Sequence, residues 1–207
     1  MPVFFMTNFI YEITDIIFSN SQIFDKFRNF VHNNFKDEKN IVKKYFNKDK
    51  LTLDFGCGAG QFSELFNPNN YYGIDTDIRY IKFCKNSRKG NFSLISNPPH
   101  YNFKSKFFEQ ILISAVIHHI NDKTLFSILK DLKRNLKDNG KIIIIDHFTK
   151  KHQKNILCRF LINLDRGNNF RNLNEIMSIC SKHFKIKKSE LFKNSLYEDY
   201  ALILGKK

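Results

Sequence analysis

Hydrophobic residues recur with two different periods along this chain, and the change of period divides it into two parts. In the first 46 residues, Phe and Ile return every three or four positions, first at Phe9, Ile13 and Ile16 and later at Ile41 and Val42, which predicts amphipathic helices. From residue 50 onwards, short apolar runs alternate with helical patterns. We therefore predict an N-terminal helical extension or cap over residues 1–48 and one α/β domain over residues 49–207.

The apolar runs of the second part predict seven strands, and the segments between them predict helices. The strands are expected at residues 50–55, 71–74, 91–96, 108–116, 141–145, 184–192 and 200–204, and the helices at 61–66, 78–86, 124–136, 150–164 and 173–183. Strands that alternate with helices are typical of a doubly wound, mostly parallel sheet with its site at the carboxyl ends of the strands. The last two strands have no helix between them, which implies an antiparallel pair.

The N-terminal helices have two interpretations that the sequence leaves open. They form a cap over a binding site, or they are an extension packed on the sheet. Docking on a membrane surface is disfavoured by Glu12 and Asp15 on the polar face of the first helix. No basic residue precedes Lys26, which argues against a signal peptide, and no apolar run approaches the ~18–20 residues of a membrane span. We therefore expect a soluble, cytoplasmic protein.

Charge and cysteine content change this expectation little. The formal net charge is +14, from 34 basic and 20 acidic residues, but the lysines are scattered rather than gathered on one segment. A dedicated nucleic-acid surface is therefore disfavoured, and a mild preference for anionic substrates is expected. The four cysteines lack the spacing of a zinc site or a redox pair, which favours free thiols and no bound metal: Cys57, Cys84, Cys158 and Cys180.

The strongest motif is a strand that ends in an acid and three alternating glycines. Asp54 is followed by Gly56, Gly58 and Gly60, a pattern that fits either a plain turn or a turn shaped around a ligand. The second strand ends at Asp75, 15 residues beyond Gly60. An acid at this place can accept hydrogen bonds from both hydroxyls of a ribose, which favours a nucleoside cofactor.

These motifs, in this order, resemble the class I S-adenosylmethionine-dependent methyltransferases, in particular their small-molecule branch. Residues 53–60, Leu-Asp-Phe-Gly-Cys-Gly-Ala-Gly, resemble the first motif of the family, and residues 72–77, Tyr-Gly-Ile-Asp-Thr-Asp, resemble the second. Residues 107–120 are similar to the fourth-strand pattern, with Glu109 in place of the usual Asp. The resemblance implies a seven-stranded Rossmann-like sheet whose last strand is antiparallel, and S-adenosylmethionine as cofactor.

The resemblance also implies where this cofactor would bind. The methionine end would rest on the glycine turn with Asp54 near its amino group, Asp75 would take the ribose, and Thr76 would lie beside the adenine with Ile78. Ser96 and Asn97 stand where many members have an Asp for the adenine amino group. The expected cofactor contacts are Asp54, Gly56, Cys57, Gly58, Gly60, Asp75, Thr76, Ser96, Asn97 and Ser114.

Two rival interpretations of these motifs are disfavoured. A nicotinamide dinucleotide site would have a two-residue gap before the third glycine, which this turn lacks. Residues 97–100, Asn-Pro-Pro-His, look like the Asn-Pro-Pro-Tyr motif of amino methyltransferases, but they precede the fourth strand instead of following it.

Polar residues after the fourth and fifth strands are candidates for proton transfer and for acceptor binding. His118, His119 and Asp146 are candidate bases, because an imidazole or carboxylate at a strand end can take a proton from an acceptor. A purely structural role, such as capping a helix, is the alternative for each. The expected acceptor contacts are His147, Asp165, Arg166 and Arg171. For the last three, a loop salt bridge is the alternative.

The leading hypothesis is methyl transfer from S-adenosylmethionine to an oxygen or nitrogen of a small molecule, such as a sugar, a lipid or another anionic metabolite. The alternatives are an RNA or protein methyltransferase, which the net charge would favour, and a non-catalytic module that binds S-adenosylmethionine. The sequence does not name the acceptor.

Overall fold

Seven strands and four helices make up the regular structure of the protein in a computed structural model, which describes residues 33–96, 98, 101–148, 155, 167–194 and 197–207. The strands are β1 (Thr52–Phe55), β2 (Tyr71–Asp75), β3 (Asn91–Leu94), β4 (Phe108–Ser114), β5 (Leu136–His147), β6 (Phe184–Asn194) and β7 (Tyr197–Lys206). The helices are α1 (Lys36–Tyr45), α2 (Ile78–Ser87), α3 (Asp122–Asn135) and α4 (Leu173–Ser181).

All seven strands belong to one sheet, in the order β3-β2-β1-β4-β5-β7-β6. Neighbouring strands from β3 to β5 run parallel, whereas β7 runs antiparallel to both β5 and β6. Among the described strands β7 alone runs against the other six, so the predicted mostly parallel, doubly wound sheet whose last strand is antiparallel is confirmed. The carboxyl ends of β1, β2, β4 and β5 meet at one edge.

The sheet has a hydrophobic core on each face, which explains the continuous apolar runs of the central strands. Ile111 and Ile113 of β4 face one core together with the apolar residues of α3 and α4. Leu112 and Ile143 face the other core, which α1 and α2 cover. Each fully buried Leu or Ile side chain contributes about 1.5–3 kcal/mol, so the alternation along these strands fixes which face each helix covers.

Helix α1 lies within the predicted N-terminal extension and packs on the sheet. Phe35 and Val42 are buried in the same core as Ile143 and Ile145. This contact agrees with a packed extension for residues 33–46, while the other predicted N-terminal helices lie outside the described residues. No helix within the described ranges combines the length and the apolar character needed to cross a membrane.

Several predicted elements differ from the structure in their bounds, among them β7, which spans Tyr197–Lys206 in place of the predicted residues 200–204. The expected helix at residues 61–66 is only a single 3-10 turn, Ser63–Leu65, because the positive φ angles of the glycines and the following Pro68 leave no room for a longer helix. Strand β5 is longer than predicted, with an irregularity where Phe108 and Gln110 of β4 pair with it. The predicted helix at 150–164 lies outside the described residues.

Candidate active site

The turn after β1 adopts the backbone conformation that its glycines predicted. Gly56, Gly58 and Gly60 have φ angles of 75°, 50° and 71°, a region that residues with a Cβ rarely adopt. At Gly56 there is also no space, since a Cβ would collide with Cγ2 of Val116. The turn is therefore a shaped stretch of backbone that only this residue type can form.

The end of β2 holds this turn in place. The backbone N–H groups of Gly56 and Cys57 donate to the carbonyl of Ile74, at 2.8 and 3.0 Å. Gly58 N donates to Asp75 Oδ2 at 2.8 Å, and Asp77 N donates to Asp75 Oδ1 at 2.9 Å. Each carboxylate oxygen has a second lone pair, so this partly exposed acid can orient the turn and still accept hydrogen bonds from a ligand.

Burial changes the proton affinity of Asp75. It raises the pKa of this carboxyl above its usual value, and the N–H groups of Asp77 and Gly58 counteract burial only in part. A neutral partner with hydroxyl donors, such as a ribose, would donate to the remaining lone pairs of this carboxyl without adding charge.

Asp54 and Cys57, on either side of residues 55–56, have buried side chains. Asp54 is buried and accepts a hydrogen bond from the hydroxyl of Tyr71 at 2.5 Å. Cys57 is also buried, and its hydrogen bond to Cys84 together with burial raises its thiol pKa well above the usual value. This cysteine is therefore a protonated thiol inside the core, and its expected cofactor contact can come only from its backbone.

Exposed apolar side chains flank Asp75. Ile78, at the start of α2, is 46% exposed, and Leu94, in register with Asp75 at the end of β3, is 44% exposed. Thr76 and Ser96 are exposed beside them. Two exposed apolar side chains on either side of one carboxylate offer a surface on which a planar ring can pack. Asn97, the remaining adenine candidate, lies outside the described residues.

The end of β4 lies against the glycine turn through an unusual backbone conformation. Ser114, a predicted cofactor contact, is almost buried at the last position of β4. The next residue, Ala115, has a φ angle of 53°, a rare value for a residue other than glycine. This bend places Val116 directly beside Gly56. The residues that follow, including His118, are thereby fixed next to the turn.

His118 and Asp146 form a buried pair at the ends of β4 and β5. His118 Nδ1 lies 2.6 Å from Asp146 Oδ1, and both residues are at most 2% exposed. Asp146 also accepts the backbone N–H groups of His118 (3.2 Å) and His147 (2.8 Å). Burial alone would raise the pKa of Asp146, but the charge and ring hydrogen bond of His118, together with the charge and backbone N–H of His147, lower it below its usual value.

This geometry separates the roles of the three candidate bases. Asp146 is an ionised carboxylate whose oxygens orient His118, the arrangement in which an acid fixes the tautomer of an imidazole. His119 is exposed, and its ring centroid lies 4.1 Å from that of His118. Among the three, His118 has the surroundings expected of a general base.

A second imidazole–carboxylate pair lies beside the first. His147, at the end of β5, has its Nδ1 2.6 Å from Asp199 Oδ1 on β7. Burial alone would lower the pKa of His147, but the charge of Asp199 and its hydrogen bond raise it above the usual value. Glu38 of α1 faces this pair, and burial raises its carboxyl pKa to about 8. Its oxygen Oε1 accepts a hydrogen bond from Asn194.

Arg171 fastens the segment before α4 to the turn after β4. Its guanidinium donates to Asp122 Oδ1 at 2.8 and 2.6 Å and to the carbonyls of Ile117 (2.8 Å), Ile120 (2.6 Å) and Asn169 (3.0 Å). The residue is buried, so the structure gives Arg171 an anchoring role in place of the predicted acceptor contact.

The segment anchored by Arg171 places the ring of Phe170 against the candidate base His118. Phe170 stacks on His118 with ring centroids 4.9 Å apart and an interplanar angle of 6°. The other two predicted acceptor contacts, Asp165 and Arg166, lie outside the described residues. Phe170 therefore joins the site from a segment distant in sequence from β4.

Sequence reasoning missed Asp199, Glu38 and Phe170. Asp199 directly precedes the buried residues Tyr200 and Ala201 on β7. An acid within an apolar strand was therefore the signal that the sequence offered. Glu38 offered a weaker signal, because it stands on a lysine-rich helix. Within the residues that the structure describes, no group of His, Cys, Asp and Glu has an arrangement that could hold a metal ion.

The strand order, the shaped turn and the acid after β2 define an α/β domain built to bind a nucleoside-type ligand. The chain matches the family described as "Methyltransferase domain" over residues 21–187. It belongs to this family, and the family predicted from the motifs is confirmed.

Curated relatives match about half of the chain. An uncharacterized protein of Methanocaldococcus jannaschii is 31% identical over 112 residues, which are 54% of this chain and 47% of that protein. A tRNA (carboxymethyluridine(34)-5-O)-methyltransferase of Arabidopsis thaliana is 26% identical over 53% of this chain and 27% of its own length. The matched part thus spans about half of these relatives or less.

Solved structures share the fold at low sequence identity. A SAM-dependent methyltransferase from Archaeoglobus fulgidus has a TM-score of 0.67 and 18% identity, with 88% of this chain and 99% of that chain covered. Magnesium protoporphyrin IX methyltransferase from Synechocystis PCC 6803, solved with bound SAH, has a TM-score of 0.66 and 16% identity, with 95% and 100% covered. These likenesses support the fold.

Proposed function

We propose that the protein transfers a methyl group from S-adenosylmethionine to an oxygen or nitrogen atom of a small molecule. One observation carries this proposal: Val116 packs against Gly56, so the glycine turn adjoins the His118–Asp146 pair. A shaped ligand turn and a buried proton acceptor are thereby neighbours at one edge of the sheet. Membership of the methyltransferase family supports the reaction class.

The residues present fit the proposed cofactor. The turn at Gly56, Gly58 and Gly60 has the open backbone that a polar ligand end needs, Asp75 can accept ribose hydroxyls, and Ile78 with Leu94 offers an apolar surface to adenine. When bound, S-adenosylmethionine supplies a methyl group activated by the positive charge of its sulfonium. The remaining tasks fall to the protein.

The protein would hold the acceptor in line with the methyl group, exclude water and take up a proton where the acceptor must lose one. His118 is the proposed proton acceptor, since Asp146 fixes its ring and stabilises the imidazolium that forms. The stacked ring of Phe170 covers one face of His118 and keeps water from it. His119 is the alternative base at the exposed side.

The acceptor is proposed to be a sugar, a lipid or another anionic metabolite. The excess of basic residues supports an anionic substrate. His147, at the end of β5, together with Asp165 and Arg166, supplies the proposed contacts. We propose a cytoplasmic location for the protein, as the sequence predicted.

The first test is calorimetric titration of S-adenosylmethionine into the wild type, the Asp75→Ala variant and the Asp77→Ala variant. We expect binding by the wild type, a loss of at least about tenfold in affinity for Asp75→Ala, and nearly unchanged affinity for Asp77→Ala. Asp77 is the matched control because its carboxylate pairs with Arg79 and caps α2. Absence of binding by the wild type, or equal binding by all three proteins, would sink the proposal.

A screen of metabolite fractions with a labelled methyl donor then identifies the acceptor. Transfer of label to a small, non-polymeric product supports the proposal. Binding of S-adenosylmethionine without transfer to any fraction would favour a non-catalytic binding module instead.

RNA methylation is the second candidate function. Two curated relatives, from Arabidopsis thaliana and Schizosaccharomyces pombe, are named tRNA (carboxymethyluridine(34)-5-O)-methyltransferases, at 26% and 29% identity. The net charge of +14 is also compatible with a polyanion. Incubation with bulk tRNA and labelled donor distinguishes the two, together with the salt dependence of RNA affinity. Label in tRNA and a steep salt slope would favour RNA.

A further inference from the structure

The two imidazole–carboxylate pairs face opposite sides of the sheet edge. Asp146 and His147 are consecutive residues of β5, and consecutive side chains of a strand point to opposite faces. Asp146 therefore meets His118, while His147 meets Asp199, which lies directly opposite it on β7. Although the pairs use different faces, the rings of His118 and His147 are only 5.8 Å apart between centroids.

Two buried imidazoles this close compete for protons, whereas the ring of His119, although 4.1 Å from that of His118, is exposed and its charge is screened by water. A positive charge on one ring disfavours a positive charge on the other, so the first proton binds more easily than the second. Which ring holds the first proton matters for catalysis, because a general base must be unprotonated before it can act. A protonated His118 could not accept a proton from a methyl acceptor.

The surroundings of His147 favour the proton there. Asp199 is 1% exposed, and its Oδ2 atom has no hydrogen-bond partner among the residues the structure describes, so its charge relies on His147 for stabilisation. The negative charge of Asp146 on β5 also raises the pKa of His147, whereas the charge of His118 after β4 lowers it. Glu38 of α1 holds its own proton up to about pH 8, since burial raises its pKa to about 8.

We propose that Asp199 is a positioning residue of the acceptor site, which keeps the shared proton on His147 and thereby leaves the imidazole of His118 neutral and able to act as base. This inference rests on the proposed function of His118. The step assigned to His118 is one proton transfer: the bond from the acceptor atom to hydrogen breaks, a bond from hydrogen to imidazole nitrogen forms, and the new positive charge lies beside Asp146.

The order of protonation can be measured without cofactor or acceptor. We would follow the ring Cε1–H signals of the full chain by NMR against pH and assign His118 and His147 with His118→Gln and His147→Gln variants. In the wild type, His147 is expected to gain its proton at higher pH than His118. In Asp199→Asn, which keeps the shape and an acceptor oxygen but removes the charge, the His147 midpoint should shift down and the His118 midpoint up.

Two further variants sharpen this experiment. Glu38→Gln changes the other acidic neighbour of the pair without changing its charge at neutral pH, so both midpoints should stay near their wild-type values. His147→Gln removes the competing cation and leaves Asp199 in place, so His118 should become protonated at higher pH. If Asp199→Asn does not fold, His147→Gln still tests the competition.

Several outcomes would overturn the proposal. These are a wild type in which His118 gains its proton first, an unshifted pair in Asp199→Asn, and an unshifted His118 in His147→Gln. A failure of the proposed function would instead appear as absent S-adenosylmethionine binding in the calorimetric test. With an acceptor in hand, Asp199→Asn should move the acid limb of the kcat profile to higher pH, a change that a merely structural role would not produce.

Discussion

The glycine turn after β1 and the ionic cluster at the carboxyl end of β5 and the start of β7 share one edge of the sheet, but different forces hold them. The turn is fixed by backbone: three positive φ angles and N–H groups donated to Ile74 and Asp75. The cluster is fixed by buried side chains, in the pairs His118–Asp146 and His147–Asp199.

This difference predicts different sensitivities. The turn should be most sensitive to added volume, because its shape depends on backbone conformation and sterics. The cluster should tolerate changes of equal shape only where the charge is also kept, because an unpaired buried charge costs several kcal/mol. Substitutions that alter only volume or only charge therefore separate the two regions.

The largest effect is expected at Gly56. Gly56→Ala adds one methyl group to a residue with a φ of 75° and forces it against Val116, which should lower the free energy of unfolding by about 3 kcal/mol and abolish S-adenosylmethionine binding. Urea denaturation and calorimetry measure both. The control is Gly205→Ala on β7, where the added atom meets only the flexible Lys187 side chain. Equal losses in the two variants would contradict a steric origin.

A substitution in the cluster that changes charge but not volume should lower the free energy of unfolding. Asp146→Asn removes a carboxylate that accepts from His118 and from two backbone N–H groups. We expect a loss of about 2–3 kcal/mol in the free energy of unfolding, with S-adenosylmethionine binding largely retained. Denaturation curves and calorimetry check this. Unchanged stability would mean that the charge of Asp146 does not hold the cluster.

The contribution of Glu38, on α1, to the free energy of unfolding should depend on pH. The pKa of Glu38 is about 8 in the folded protein, above its ordinary value of 4.5, so between these values the folded state keeps a proton that the unfolded chain releases. Stability from this proton is complete below about pH 4.5 and is lost as the pH rises to 8. Glu38→Gln should remove this loss and stabilise the protein by about 2 kcal/mol at pH 6.

The comparison for this variant is Glu64→Gln, which alters a carboxylate that is 62% exposed beside Lys39. Its unfolding free energy should follow the pH as in the wild type. Should the Glu38→Gln and wild-type curves run parallel from pH 5 to pH 8, Glu38 would not be the group that titrates.

The smallest effect is expected at the opposite end of β5. Asp138 pairs with Lys106 and Lys206, but its side chain is 64% exposed. Asp138→Asn is the same substitution as Asp146→Asn on the same strand, yet it should change the unfolding free energy by no more than about 0.5 kcal/mol. Chemical denaturation of both variants side by side measures the contrast. A loss as large as that of Asp146→Asn would show that burial is not the deciding factor.

The sequence predicted the turn far better than the cluster, for a physical reason. The turn depends on residues within about two dozen positions of one another, and glycine spacing encodes backbone conformation directly. Asp75, the acid that completes it, was predicted from its place after the second strand. The mostly parallel sheet followed from the alternation of strands and helices, and its antiparallel last pair from the absence of a helix between the last two strands.

The cluster depends on register, which no local pattern encodes. His147 meets Asp199 because β5 and β7 pair with these two residues opposite each other, 52 positions apart in the chain. Glu38 reaches the same place from α1. The same limit explains Arg171, whose charge suggested a ligand contact until its five donor contacts to the protein were visible.

The clamp made by Arg171 has a consequence for protein engineering. It ties the chain just before α4 to Asp122 and to the carbonyls of Ile117 and Ile120, while β5 ends at His147 in the sheet. The residues at both ends of the stretch between His147 and Arg171 are therefore held in place by the rest of the domain. A designer could exchange residues 149–166 between these two fixed points and leave the Arg171 contacts and the glycine turn intact.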